Sequence, residues 1–390
     1  MTEANPLARE ELFEDAPTGV EVEQFESDSG GQPTIERPPW NPEHIRVGTK
    51  NFSIRNILDL IKDGDLELAP DFQRNLVWKS KQKSRLIESI LLQIPLPVFY
   101  FAEDGEGMMR VVDGLQRLST VNDFVGDGAN GNFSLTGLEY LDNVNGKYFS
   151  ELPTPLRRRI YNTQIVVHVI DPTTPTAVKY NIFKRINTGG SPLNHQEIRH
   201  CMSRQRSRDL LKHCTHLPEF DRATGGALRE HVRMNDREIV LRFCAFSLLG
   251  EDAYSEPRFR AMDPFLEYAT ELLDDEQRIS DAQLDELAER FRLAMINAYE
   301  IFGDHAFRKW PHGTEWLNPI NRPLFETWSI VLSRHKTADV VARQKSIVRV
   351  AREWMTNDQD YIAAITLSTG DPRKVRYRFD RTAAAAEAGR

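Results

Sequence analysis

Along the first 200 positions the apolar residues change period repeatedly. "SIRNILDLIKDG" (53–64) reads as a short amphipathic helix that ends at Gly64. "APDFQRNLVW" then reads as extended or turning chain, because the residue before Pro70 disfavours helix. "KSKQKSRLIESILLQI" (79–94) is a strong helix pattern, with Leu86, Ile87, Ile90, Leu91 and Ile94 on one stripe. "PLPVFYFAE" predicts a strand, residues 109–112 a second, and "TQIVVHVIDP" (163–172) a third that Pro172 ends. Beyond residue 200 the period is mostly helical, in "DREIVLRFCAFSLLG", "DPFLEYATELL", "DAQLDELAERFRLAMINAYEIFG", "NRPLFETWSIVLS" and "ADVVARQKSIVRVAREWM". The pattern predicts an α+β protein: a mixed domain over 41–200, then a helical domain over 201–390. No internal repeat is visible.

At 390 residues the chain is long enough for two cores, and its 40% hydrophobic content fits a globular protein. No apolar run approaches the ~18 residues of a membrane span, and "MTEANPLARE" lacks the apolar core of a signal peptide. Cys201, Cys214 and Cys244 share no CxxC spacing, so zinc and a disulfide framework are not indicated, and a cytoplasmic location is expected. The net charge of -8 is concentrated in residues 1–40, where ten acids face only Arg9 and Arg37. With "SDSGGQP" and "ERPPW" this reads as a disordered acidic tail, a solubilising arm or one that shields a basic groove. A second charged stretch, "RHCMSRQRSRDLLKH" (199–213), carries five basic residues against one Asp. Its Arg199, Arg204, Arg206 and Arg208 form a candidate DNA-phosphate patch, or simply a solvated helix face.

Three motifs carry chemistry. In "MMRVVDGLQRLSTVNDF" (108–124) a strand breaks at Asp113-Gly114 and a helix follows, with apolar residues at 115, 118, 121 and 124. Gln116 and Arg117 then sit in the first helical turn, where free backbone N–H groups and the positive end of the macrodipole gather. This arrangement can cradle phosphate; equally, Arg117 can pair with Asp113 while Gly114 closes a turn. In "PDFQRNLVW", Gln73 can present an amide, Arg74 a fork to phosphate and Trp78 a stacking face. The same residues can instead form a structural Arg–carboxylate pair beside a core Trp. In "FKRINTGGSPLNHQEIR" (183–199), Asn187, Thr188, Gly189 and Gly190 can form an anion-binding loop or an ordinary helix stop.

In this order, "FQRNLVW", "SRLIESILLQIPLPVFYF", "VVDGLQRLST" and "IFKRINTGGSPLNHQEIR" resemble the N-terminal domain family of GmrSD-type restriction enzymes, which is related in fold to ParB and sulfiredoxin. "MNDREIVLRFCAF" and "INRPLFETW" are similar to later segments of that family, so the resemblance covers roughly residues 45–380. It implies a ParB/sulfiredoxin-like mixed domain that binds and hydrolyses a nucleoside triphosphate in defence against foreign DNA. Carried over by residue, Gln73 and Arg74 face the nucleotide. Asp113, Gly114, Gln116 and Arg117 form the phosphate and Mg2+ side, with Asp113 on the metal. Asn187, Thr188 and Gly190 close the pocket.

The sequence departs from the family at two places. Where the family reads Asp-Gly-Gln-Gln-Arg, Leu115 replaces the first Gln, and an apolar side chain cannot orient water or accept a proton. Leu115 also excludes the thiol chemistry of sulfiredoxin, whose nucleophilic cysteine lies in this turn. Many GmrSD-type proteins add an HNH nuclease domain; here the nearest mimic, "GDHAFRKWPHGTEWLNPIN", lies between helices without a hairpin, so a stand-alone form is expected. The leading expectation is an NTPase with a Mg2+-nucleotide between "FQR" and "DGLQR". Two alternatives remain: a non-catalytic DNA sensor that recruits a nuclease from a partner chain, and a DNase pairing Asp113 with Asp71 or Glu197. Phosphate on a nucleotide and phosphate on DNA call for the same residue types.

Overall fold

The structure is a computed structural model that describes residues 8–13, 15–23, 46–68, 78–126, 132–186, 194–231, 233–259 and 261–389. The strands are β1 (Glu10–Phe13), β2 (Ala16–Glu21), β3 (Val47–Ser53), β4 (Leu66–Glu67), β5 (Phe99–Glu103), β6 (Met109–Asp113) and β7 (Gln164–Ile170). Six helices accompany β3–β7: α1 (Ile54–Asp63), α2 (Ser80–Leu91), α3 (Leu115–Val125), α4 (Thr154–Asn162), α5 (Thr176–Ile186) and α6 (His195–Met202). Then follow α7 (Gln205–Thr215), α8 (Pro218–Thr224), α9 (Asn235–Tyr254), α10 (Met262–Asp274) and α11 (Asp281–Phe302). The last are α12 (Arg322–Leu332), α13 (Thr337–Ala342), α14 (Gln344–Asn357), α15 (Gln359–Ala364) and α16 (Pro372–Ala386). The chain divides into two compact units, Glu36–Met202 and a second made of Met1–Ile35 with Ser203–Arg390.

The mixed unit is built on a five-stranded sheet of order β3-β7-β5-β6-β4. β3 runs antiparallel to β7, β7 parallel to β5, β5 antiparallel to β6, and β6 parallel to β4. On β7 the alternate residues Ile165, Val167 and Val169 are buried while Val166 is 40% exposed, the signature of a strand with one covered face. The covering helices contribute Ile57 from α1, Ile87 and Ile90 from α2, Phe124 from α3 and Ile160 from α4. Helix α1 starts where the Ser53 hydroxyl accepts from Asn56 N–H at 3.2 Å. It stops at Gly64, whose φ of 85° is the left-handed conformation a helix end favours. Helix α2 ends at Leu91 rather than continuing to residue 94, and Gln93 takes a φ of 59° just before Pro95.

The second unit is helical and packs Phe220, Phe243, Phe246, Phe291, Phe325 and Trp328 in its core. It also holds the β1–β2 hairpin, which corrects the expectation of a disordered tail over 1–40 for the part described. Glu10 pairs with Glu21 and Phe13 with Ala16, and Val20 is fully buried. The order comes from partners far along the chain: Lys309, Arg322 and Arg242 pair with Glu21, Glu11 and Glu23. A charge count of the tail cannot see such partners. Residues 24–40 lie outside the described residues. Among the described residues no helix is long and apolar enough to cross a membrane.

Candidate functional site

Strand β6 ends at Asp113, Gly114 turns the chain with a φ of 96°, and α3 begins at Leu115. Gly114 cannot be another residue without movement, because an added Cβ would lie 2.2 Å from Phe99 Cδ1. Among the described residues no side chain caps α3, and a glycine N-cap offers no side-chain oxygen of its own. Among the described residues the first-turn N–H groups of Leu115, Gln116 and Arg117 therefore have no capping side chain at the positive end of the helix.

Arg117 lies back against its own domain. Its guanidinium donates to the Pro97 carbonyl, to the Val98 carbonyl at 3.2 Å and to Asp113 Oδ2 at 2.9 Å. It stacks 4.2 Å over the Phe99 ring, and its side chain is 12% exposed. Burial pushes the guanidinium below its ordinary value, partly offset by Asp113. Only one Asp113 oxygen is used by Arg117, and the Asp113 side chain is 34% exposed. The Gln116 side chain is half-buried and makes no hydrogen bond among the described residues; its carbonyl accepts from the Thr120 hydroxyl at 2.7 Å. Leu115 is partly buried and packs on the core of the mixed unit behind Leu118, Val121 and Phe124. A carboxylate and the helix's first-turn amides thus share the C-terminal end of β6, with Arg117 bracing the turn from behind.

The other motifs are only partly described. Gln73 and Arg74, Asn187, Thr188 and Gly190, and Asp71 all lie outside the described residues. Trp78 is half-buried and packs on the core of the mixed unit. Glu197 is buried at the start of α6, where it accepts from Asn194 N–H at 2.6 Å while its own N–H donates to Asn194 Oδ1 at 2.8 Å. That is helix capping, which occupies the carboxylate assigned to a DNase metal site.

The basic stretch 199–213 is divided, with Arg199 and Arg208 buried, Arg206 half-buried, and Arg204 and Lys212 exposed. Arg199 is buried and donates from Nε to Gln196 at 2.8 Å. Arg206 donates to the Leu273 carbonyl at 2.7 Å and the Ile279 carbonyl at 2.6 Å, and pairs with Asp281. Arg208 is buried, donating to Gln205 at 3.2 Å. Arg204 is exposed, and its backbone N–H donates to Asp274 at 2.7 Å. Helical propensity and charge are visible in sequence, whereas the α10–α11 connection that takes up the Arg206 side chain is not.

The histidines of the HNH-like stretch do not converge either. His305 stacks on Trp310 at 4.0 Å, whereas His312 lies beside Glu353 at 3.5 Å. Asn318 and Asn321 bond the backbone carbonyls of Lys309 and Ile365. No group of three or more His, Cys, Asp or Glu suited to a metal ion occurs among the described residues. Sequence reasoning missed Phe99 and the Pro97–Val98 carbonyls as parts of the β6–α3 turn. The only signal was the proline-flanked start of β5.

Residues 54–202, from the start of α1 to the end of α6, match the family model described as GmrSD restriction endonuclease, N-terminal domain. No curated protein matches the chain.

Proposed function

We infer that this chain, whose residues 54–202 match the N-terminal domain of GmrSD restriction endonucleases, is the nucleotide-binding and NTP-hydrolysing module of a DNA-restriction or anti-phage defence system. The observation that carries the reading is the β6–Gly114–α3 turn, with its glycine-capped helix start beside a carboxylate that is one-third exposed. Open N–H groups at a helix N-terminus bind phosphate oxygens, and the glycine lets a phosphate approach the backbone. Gln73, Arg74, Asn187, Thr188 and Gly190 belong to the same proposed pocket through the family resemblance.

The donor set fits Mg2+, because the Asp113 oxygen not used by Arg117 is a hard ligand, and this ion is commonly held by one or two carboxylates plus substrate phosphates. When bound, the ion supplies charge neutralisation across the phosphates. Arg117 holds Asp113 in place rather than reaching for the ligand, since its donors already meet two carbonyls and that carboxylate. Gln116 lies in the first turn, its amide makes no hydrogen bond among the described residues, and it would orient the attacking water. Leu115, turned to the core, takes no part in proton transfer.

The test is Asp113→Asn. The amide oxygen still accepts from Arg117, so the fold should hold, while the charge that binds Mg2+ is gone. Mg2+-dependent nucleotide affinity should fall by roughly tenfold or more, with phosphate release lost across all four nucleoside triphosphates, with or without DNA. Unchanged Mg2+-dependent binding in this variant would remove the turn from the nucleotide site.

A further inference from the structure

The sheet of the mixed unit has two faces, and the second is covered only in part. Helices α5 and α6 pack against β6, and their buried Val178, Phe183 and Ile198 lie outside the core that α1–α4 build. These helices therefore cover the opposite face on the β6 side. Toward β7 and β3 that face is open: Val166 is 40% exposed, and Thr49 and Asn51 are exposed beside it.

A row of four residues crosses the sheet here. Asp113 at the end of β6 is the cross-strand partner of Tyr100 on β5, Tyr100 of His168 on β7, and His168 of Thr49 on β3. Tyr100 and His168 are half-buried, and their ring centroids lie 5.2 Å apart with the planes tilted by 53°. Thr49 Oγ1 lies 3.0 Å from His168 Nδ1, which ties down one ring nitrogen. Neither His168 Nε2 nor the Tyr100 hydroxyl makes a hydrogen bond among the described residues. Phe99 and Phe101, on either side of Tyr100, are buried in the core of the mixed unit, whereas Tyr100 belongs to neither hydrophobic core. Core packing thus does not account for this pair of rings. Strands in a sheet are spaced by about 4.8 Å, so His168 stands two spacings, on the order of 10 Å, from Asp113. A nucleotide whose phosphates sit at the Gly114 turn spans that distance.

We propose that Tyr100 and His168 form the platform on which the base of the bound nucleotide stacks, with Thr49 holding the imidazole in place. The proposal rests on the nucleotide reading of the Gly114 turn and adds the ligand class, a phosphate chain that carries an aromatic base. Every base presents a π-face, so the platform accepts each of the four.

The experiment measures Mg2+-dependent binding of the four nucleoside triphosphates and of inorganic triphosphate to the full-length chain. Wild type should hold the nucleotides roughly tenfold or more tightly than triphosphate, the gain that base stacking brings. Tyr100→Leu should remove that gain, lowering nucleotide affinity roughly tenfold and leaving triphosphate binding as it was. Tyr100→Phe keeps the ring and should stay close to wild type. Asp113→Asn should weaken both ligands, since it acts on the phosphate end. Unchanged nucleotide binding in Tyr100→Leu, with both ligands weakened by Asp113→Asn, overturns the platform and leaves the turn standing. Intact binding of both ligands in Asp113→Asn removes the turn, and the platform falls with it. Equal loss of nucleotide and triphosphate in Tyr100→Leu also overturns the proposal, because the ring would then be structural. Chemical modification of wild type covers the case in which Tyr100→Leu fails to fold. Nucleotide should shield His168 from diethyl pyrocarbonate, read by peptide mass spectrometry, and triphosphate should shield it much less. Equal reactivity of His168 with the two ligands bound overturns the proposal.

Discussion

The Arg117 guanidinium is held by two backbone carbonyls, one carboxylate and one aromatic face. Each of those part-buried or exposed acceptors loses its partner if the side chain is cut back, and the Phe99 ring loses the cation stacked on it. Arg117→Ala should therefore lower the unfolding free energy by about 2–3 kcal/mol, measured by urea titration. Arg117→Lys should restore less than half, because one ammonium cannot reach three acceptors fixed for a planar fork. A change below about 0.5 kcal/mol for Arg117→Ala would show the contacts to be idle. A helix-start arginine is read from sequence as a phosphate ligand or as the partner of the preceding Asp, and here the second role is occupied. The sequence placed the turn correctly, since Asp-Gly and the 115, 118, 121, 124 stripe both follow from residue type. It could not show the Pro97–Val98 carbonyls, which come to Arg117 from the neighbouring strand.

Elements with strong periodicity were legible, and elements made by pairing were not. Helix α1 has a serine start and glycine stop, and strand β7 has its alternation. Strand β3 shows neither: five of its seven residues are exposed, and it exists through its ladder with β7 from Val47–Ile170 to Ser53–Gln164. Glu88 shows the same limit inside a helix that was predicted. It falls among the apolar residues of α2, is buried, and accepts from the N–H groups of Glu139, Tyr140 and Leu141 at 2.7–3.0 Å. Burial works against its ionisation, but those three amides prevail and hold its carboxyl below the usual range. Only a contact more than fifty residues away explains a buried acid on that stripe. Glu88→Ala should orphan the three amides and cost about 2–4 kcal/mol, with the 138–141 turn losing amide protection before the sheet does. Unchanged protection there would mean that the turn holds itself.

Over the whole molecule, charge is partitioned rather than spread, and the acids near the N-terminus are interior counter-ions as well as surface charge. Burial opposes ionisation of Glu23, but Arg242 and Arg322 outweigh it and hold its carboxyl down to about 2. That lies below the ordinary 4.5, so its stabilising contribution is fully present above about 4.5 and is lost as pH falls through about 2. Glu21 has the opposite sign: burial raises its carboxyl more than Lys309 and Asn321 lower it. Its contribution is greatest below 4.5 and declines as pH rises through the raised value. Glu23 therefore governs the acid limb, with a depression worth on the order of 3 kcal/mol. Glu23→Gln removes that limb. At about pH 6 the variant should be less stable than wild type by up to that amount, and the gap should close as pH falls from about 4.5 toward 2. Urea unfolding of both proteins at a series of pH values reads the gap directly. A gap that stays constant across the series would mean that Glu23 ionises no more readily in the folded protein than in the unfolded chain, and the arginine wall would then not be what holds the hairpin.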